Sequence, residues 1–280
     1  MTVRFAVALW LLACPVAAQH LEIRFLDVGQ GDATLIREGG RTVLIDAGPS
    51  PAIASYLREF HVDTIDLLIA SHNHSDHIGG MTTVLGSAFV RFYVDNGLPS
   101  TTSTYERTIE AVQASGAQYL HWSDRSITLG DAVVHLLPPP PQLTDDQNNG
   151  SVGVLIEYGQ FLALFTGDSQ QQELSAWLSG GDVPRVSVLK VAHHGSSNGT
   201  SPAWIRATRP QVAVISVGSG NSYGHPAASV IADWEQAGAR VFRTDRDGSV
   251  VVFANFEGGF VVTTANAYPK GVIEFQPLEP

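Results

Sequence analysis

The stretch Ser71–Gly80 reads SHNHSDHIGG, and its reading decides the fold. Three histidines and an aspartate fall within six residues, directly after the apolar run IDLLIA and before two glycines. A lone histidine in such a turn is ordinarily a solvated surface residue. Here neutral imidazoles and a carboxylate, the ligands that suit zinc or another first-row divalent ion, are packed together. Residues two apart in an extended segment point the same way, so His72 and His74 can share one ion. Asp76 and His77, just past the bend, can reach a second. Gly79 and Gly80 let the backbone fold closely beneath the site.

Outward from this stretch, strands and helices alternate with no linker long enough to divide the chain. LEIRFLDV, ATLIRE and RTVLIDAG read as a meander of short strands, SPAIASYLREF as a helix and IDLLIAS as a buried strand. TYERTIEAVQASG reads as a helix with a glycine stop. AQYLHW, SITL and AVVHLLPP are expected strands, and SVGVLIEY and FLALFTGD a hairpin about Gly159-Gln160. Helices SQQQELSAWLSG, SPAWIRAT and PAASVIADWEQAG then alternate with strands VSVLKVA, QVAVISVG, RVFRT and GSVVVFAN. Two sheets face to face with helices outside is the layering this order implies. The tail from Thr263 on is uninformative.

At 280 residues, 44% hydrophobic and 15% charged, the chain can bury a substantial core. Residues 1–18, MTVRFAVALWLLACPVAA, have the charge, apolar core and small-residue ending of a secretory signal peptide. Residues 19–280 are then the mature domain, secreted or periplasmic. The alternative takes LLAC as a lipidation site and anchors the chain through Cys14. Cys14 is the only cysteine, so neither mature form holds an internal disulfide or a thiolate ligand. Loss of the leader removes Arg4 and leaves 15 basic against 27 acidic residues, a net charge of −12. Such a surface repels polyanions at long range. It argues against a general nucleic-acid coat, without excluding a local positive site made by bound ions.

HNHSDH matches the H-x-H-x-D-H motif of the metallo-β-lactamase superfamily. In the same order come FLDVGQGDATLI, VLIDAG, LFTGD, VLKVAHHGS, NSYGHP and RTDRDGSV, spread over nearly the whole mature chain. Together they resemble the metallo-β-lactamase-like domain of the DNA-uptake proteins of the ComEC type and its free-standing relatives. The resemblance implies a four-layer αββα sandwich with a dinuclear site. It assigns His72 and His74 to one ion, Asp76 and His77 to the other, and Asp168 as the carboxylate bridging both. The plain alternative for Asp168 is a cap on the helix that follows. Asp46 matches an aspartate that orients a ligand histidine, and HHG supplies a late ligand, His193 or His194. Alternation after the strand implies that one of the two faces the site and the other does not. The superfamily's usual third histidine at the first ion is missing, and DDQNNGS stands in its place. Asn148 or Asn149 can substitute through a side-chain carbonyl, which moves the expected metal from zinc alone towards manganese or mixed occupancy.

Asn221, Tyr223 and His225 lie on one loop, where a phosphoesterase could bind non-bridging oxygens or protonate a leaving alkoxide. Ser196 and Ser197 are further candidate donors to substrate. Asp27, Gln30 and Asp32 read as turn residues. His20, His61, His121 and His135 read as unclustered surface or core residues, and Trp177, Trp204 and Trp234 as packing.

The expected function is a secreted metal-dependent hydrolase, a phosphodiesterase or nuclease. Two ions about 3.5–4 Å apart would hold the attacking hydroxide. Asp76 and Asp168 would set the metal centre and His225 would stand near the leaving group. The expected partner is a small phosphodiester or single-stranded nucleic acid; no later stretch in this chain could form a membrane channel. Hydrolysis of a lactone or other ester on the same site, and a non-catalytic metal-binding module, are the rival readings.

Overall fold

The structure, a computed structural model, describes residues 20–123, 125–143, 146–181, 183–266 and 272–278. The leader, its cleavage site and Cys14 lie outside the described residues.

The first sheet begins with β1 (Leu21–Phe25), β2 (Thr34–Glu38), β3 (Arg41–Ile45), β4 (Thr64–Ile69), β5 (Phe89–Val94) and β6 (Gln118–Tyr119). The second takes β7 (Arg125–Leu129), β8 (Ala132–Leu137), β9 (Gly153–Tyr158), β10 (Phe161–Phe165), β11 (Val188–Lys190), β12 (Val212–Ile215) and β13 (Arg240–Arg243). The chain then returns to the first sheet with β14 (Val250–Ala254), β15 (Phe260–Thr264) and β16 (Ile273–Phe275). The sheet orders are β16-β15-β14-β1-β2-β3-β4-β5-β6 and β13-β12-β11-β10-β9-β8-β7. Helices α1 (Ile53–Glu59), α2 (Ser75–Ile78), α3 (Met81–Ser87), α4 (Ser103–Ser115), α5 (Gln171–Gly180), α6 (Pro202–Thr208), α7 (Ala228–Gln236) and α8 (Thr244–Asp247) connect them.

Period-two alternation divides the apolar residues between three cores. Val43 and Ile45 of β3 join Val154, Ile156 and Phe165 of the second sheet in the central core. Leu44, between them, packs outward with Ile53 and Leu57 of α1 and Met81 and Val84 of α3. On the far side, Leu164, Leu189 and Ala213 meet Trp177, Trp204 and Trp234 of α5, α6 and α7. The layers are helix, sheet, sheet, helix, as the sequence implies, and the three tryptophans are packing residues.

The expected strands and helices form, and Gly116 ends α4 in the left-handed conformation at φ 74°. Among the described residues six elements go beyond the sequence reading: α2, α3, β5, α8, β15 and β16. The N-cap position of α5 is Gln170, which makes no side-chain cap. Asp168 stands two residues before it, so the capping role weighed for Asp168 does not occur.

Both sheets are mixed. β3, β4, β5 and β6 run parallel, as do β10, β11, β12 and β13. Ligand sites in α/β sheets lie beyond the carboxyl ends of parallel strands. Asp46 follows β3, the histidine stretch follows β4, Asp168 follows β10 and His193-His194 follow β11.

Candidate metal centre

Asp168 is the hub. Its Oδ1 lies 3.2 Å from His77 Nε2. Its Oδ2 lies 3.5 Å from His194 Nε2, 3.7 Å from His193 Nε2 and 3.9 Å from His72 Nε2. Asp76 Oδ2 adds a second carboxylate 3.2 Å from His194 Nε2. His74 completes the group, its Nδ1 3.0 Å from His72 Nε2. Ligand atoms of Asp76, His77, Asp168 and His194 all lie within 4.8 Å of one another.

Each of four imidazoles is held from behind through Nδ1. His77 Nδ1 donates to Asp46 Oδ2 at 2.8 Å. His72 Nδ1 lies 3.2 Å from Ser71 Oγ, whose own proton goes to Asp46 Oδ2. His194 Nδ1 donates to the Ser216 carbonyl at 2.9 Å, and His193 Nδ1 to Asn198 Oδ1 at 3.1 Å. A protonated Nδ1 leaves the lone pair on Nε2, aimed at Asp168, which is how metal-ligating histidines are oriented. Asp46 does this from a left-handed backbone at φ 58°, fixed by bonds from the Ser71 N–H and hydroxyl.

The electrostatics describe a cluster short of positive charge. Burial opposes ionisation of Asp168, but His194 and His77 outweigh it and hold the carboxyl well below the ordinary range. Asp76 is likewise drawn down to about 2 against its burial, by His194 and His77. Burial disfavours charge on His77 and His194, yet Asp168 with Asp46 or Asp32 raises both well above the usual imidazole value. Burial and the charge on His77 push His72 the other way, so its ring stays neutral.

The donor set fits divalent cations. Asn148 Oδ1 is buried with no hydrogen-bond partner, and the buried Asp168 Oδ1 and His77 Nε2 have only each other, 3.2 Å apart. Buried polar atoms left in this state are costly. Imidazole and carboxylate with one amide carbonyl suit a first-row ion.

The structure decides several points that the sequence left open. Both His193 and His194 approach Asp168. Each adopts a left-handed backbone, φ 50° and 51°, so strand alternation does not apply to them. Asn148 lines the cleft beside Asp168. Asn149 is spent elsewhere: its amide donates to Asp146 and its carbonyl accepts from the Glu173 N–H.

Other expectations are corrected. Asn221 has nothing left for substrate, since its amide donates to the carbonyls of Gly218 and His225 and its oxygen accepts from the N–H groups of Tyr223 and His225. It folds the loop instead. Ser196 is buried away from the cleft wall, and Ser197 lines a separate shallow depression. Asp32, read as a turn residue, does lie in the β1–β2 loop, but it is 4% exposed, with Oδ1 3.5 Å from His194 Nδ1. Gln30 accepts from the Gly218 N–H through Oε1, leaving a buried, unpartnered Nε2 at the cleft.

Lys190, only 2% exposed, went unrecognised although a lysine inside VSVLKVA was a visible signal. Asn73 and Asn96 were also missed. Asn73 donates to Asn96 Oδ1 and the Leu98 carbonyl, and Asn96 to Gln147 and the Gly150 carbonyl. This amide chain ties the histidine stretch to the loop carrying Asn148.

The centre opens into a cleft of about 510 Å³ lined by Gln30, His74, Asp76, Asn148, His193 and His225, among others. Tyr223, 67% exposed, stacks on His225 at its rim, the rings 5.9 Å apart. Burial and the neighbouring His193 lower the His225 pKa, so its ring is neutral and offers a single N–H donor.

A four-layer sandwich with histidines and aspartates gathered between the strand ends defines a metal-binding hydrolase type of fold. The sequence profile of the metallo-β-lactamase superfamily matches residues 26–219, and the chain belongs to that superfamily. It is 27% identical over 264 residues to ComE operon protein 3 of Bacillus subtilis, covering 86% of this chain and 34% of that protein. The chain thus spans about a third of that relative's length. Ribonuclease Z of Mycolicibacterium gilvum is 26% identical over 132 residues, 44% of this chain and 42% of that one. Among solved structures, the metallo-β-lactamase fold protein YhfI of Bacillus subtilis superposes with a TM-score of 0.55 at 12% identity, covering 79% of this chain and 95% of that one. Members of this fold typically bind divalent metals, and the His/Asp cluster could hold them.

Proposed function

We propose that this chain is a secreted metal-dependent phosphodiesterase, acting through a two-ion site on small phosphodiesters or single-stranded nucleic acid. The observation that carries the reading is the ring of four anchored imidazoles around the buried Asp168. His72, His74, Asp168 and the Asn148 carbonyl would hold one ion; Asp76, His77, Asp168 and His194 the other. Divalent ions, when bound, supply Lewis acidity towards a phosphoryl oxygen and a nucleophile from water at neutral pH.

The chain's own groups supply the remainder. Asp168 and Asp76 stay anionic and keep the ligand oxygens available. Gln30 Nε2 offers a donor to a non-bridging oxygen, since its other end is fixed to Gly218. The neutral His225 can donate an N–H to the leaving oxygen, and Tyr223 covers the rim. Partial similarity to a ribonuclease supports a phosphodiester substrate. The leader pattern of residues 1–18 supports secretion.

The test is turnover of bis-(p-nitrophenyl) phosphate and labelled single-stranded DNA by manganese- or zinc-loaded protein, with His72→Ala/Asp168→Ala as control. Turnover lost in the control establishes the phosphodiesterase. Two bound ions with no turnover on either substrate would overturn it in favour of a lactone or other ester.

A further inference from the structure

One buried charge pair beside the centre has no part in the reading above. Lys190, at the end of β11 in the second sheet, pairs with Asp32, from the β1–β2 loop of the first. They are 2% and 4% exposed. The ammonium also donates to the Gly167 carbonyl at 3.0 Å, the peptide that leads into Asp168. Asp32 reaches the other side of the centre: Oδ1 lies 3.5 Å from His194 Nδ1 and Oδ2 3.8 Å from His77 Nδ1. Its N–H donates to the Asp76 carbonyl at 3.1 Å. Gly31, just before it, approaches so closely that an added Cβ would lie 2.2 Å from that same carbonyl.

Two buried charges are stable together only if well paired, and replacing such a pair by apolar residues is often neutral or stabilising. The fold brace alone is therefore a weak reason for this pair. Its contacts supply another: one partner or the other touches the peptides or rings of Asp76, His77, Asp168 and His194. Asp32, Asp46 and His77 also form a second compact carboxylate–imidazole group, with ligand atoms within 4.8 Å. The lysine ammonium already sits on Asp32, so that carboxylate serves the ligands from behind.

We propose that Asp32 and Lys190 are positioning residues, a charge clamp across the two sheets that assembles the metal-binding side chains before any ion arrives. This rests on the metal-centre reading of the site; whether the wild-type chain binds cobalt(II) at all is therefore measured first and separately.

The experiment compares cobalt(II) affinity and visible absorption with metal-free melting temperature in Asp32→Asn, Lys190→Met and the double variant. Either single variant strands a buried charge and is expected to melt well below wild type. The double variant removes both charges together and is expected to recover most of that loss. Its cobalt(II) affinity is nonetheless expected to stay at least about tenfold weak, within the range for groups that orient ligands, with a shifted absorption spectrum. A double variant with wild-type affinity and spectrum would reduce the pair to a fold brace and overturn the proposal. A second measurement needs no variant: nitrogen-15 histidine spectra of metal-free wild type. Nδ1–H protons of His77 and His194 that are protected from solvent exchange are expected without metal, held on Asp46 and the Ser216 carbonyl; Nδ1–H protons that exchange freely until a divalent ion is added would also overturn it.

Discussion

At the scale of single residues, Asp46 shows how one side chain organises several others. It receives the Ser71 N–H, the Ser71 hydroxyl and the His77 Nδ1–H. Asn is tolerated in the left-handed conformation that Asp46 adopts, so Asp46→Asn removes the charge with little backbone cost. Metal affinity is expected to fall by about 10- to 100-fold, measured by competition with a chromophoric chelator, and the melting temperature is expected to fall too, because one end of the amide is a donor facing the donors of Ser71 and His77. A lowered melting temperature with unchanged metal affinity would make Asp46 a fold residue only. The raised pKa values of His77 and His194 have a second consequence. Metal must displace protons from both rings, so affinity is expected to keep rising as pH increases above the ordinary imidazole value of 6.5, with proton release. Calorimetry in two buffers of different ionisation enthalpy reads this directly. For the carboxylates the sign is opposite: Asp76 is held at about 2 in the folded chain against an ordinary 3.8. Its stabilising contribution is present above 3.8 and is lost as pH falls towards 2. The metal-free protein should therefore melt earlier across that interval.

At the scale of elements, the loop-helix α2 depends on two close backbone approaches. A Cβ on Gly79 would lie 2.3 Å from the Pro49 carbonyl, and one on Gly80 2.3 Å from the Ala47 carbonyl. Gly79→Ala is expected to cost about 1–3 kcal/mol in urea unfolding, as overpacking does, and to weaken metal binding, because His77 lies on this turn. Unchanged stability would show that the turn can move aside. Most elements were legible because their patterns are long enough to show a period. α3 was not: its buried positions Met81, Val84 and Leu85 span barely one turn, too little to register a helical repeat. β15 and β16 lie towards the edge of the first sheet, where half-buried residues give only a weak alternation. In the site, His72, His74, Asp76 and His77 were legible because a strand end and one turn place them locally. Asn221 was misread because spacing says nothing about where a hydrogen bond is spent, and Ser196 because it says nothing about burial.

At the scale of the whole molecule, the net charge of −11 bears on how the proposed substrates would arrive. Repulsion between an acidic surface and a polyanion is screened by salt. For the proposed phosphodiesterase, kcat/KM on a single-stranded oligonucleotide is therefore expected to rise between low and physiological ionic strength. The value for singly charged bis-(p-nitrophenyl) phosphate should change little. A fall with salt on the oligonucleotide would point instead to a positive binding track. Among the described residues, no helix is long and apolar enough to cross a membrane.

The sequence by itself determined the layers and the local half of the site. Alternation along strands, helical periods and the HNHSDH spacing act over a few residues, and nothing distant is needed to read them. Tertiary structure alone decided the other half. His194 meets Asp76 across 118 residues of chain, and Lys190 meets Asp32 across the two sheets. That both His193 and His194 face Asp168, and that Asn148 rather than Asn149 keeps a free carbonyl, depends on backbone twist and on neighbours brought from distant strands. The physical reason is the sandwich itself: it brings strand ends from both sheets to one rim, so each ligand's partner is a neighbour in space and a stranger in sequence.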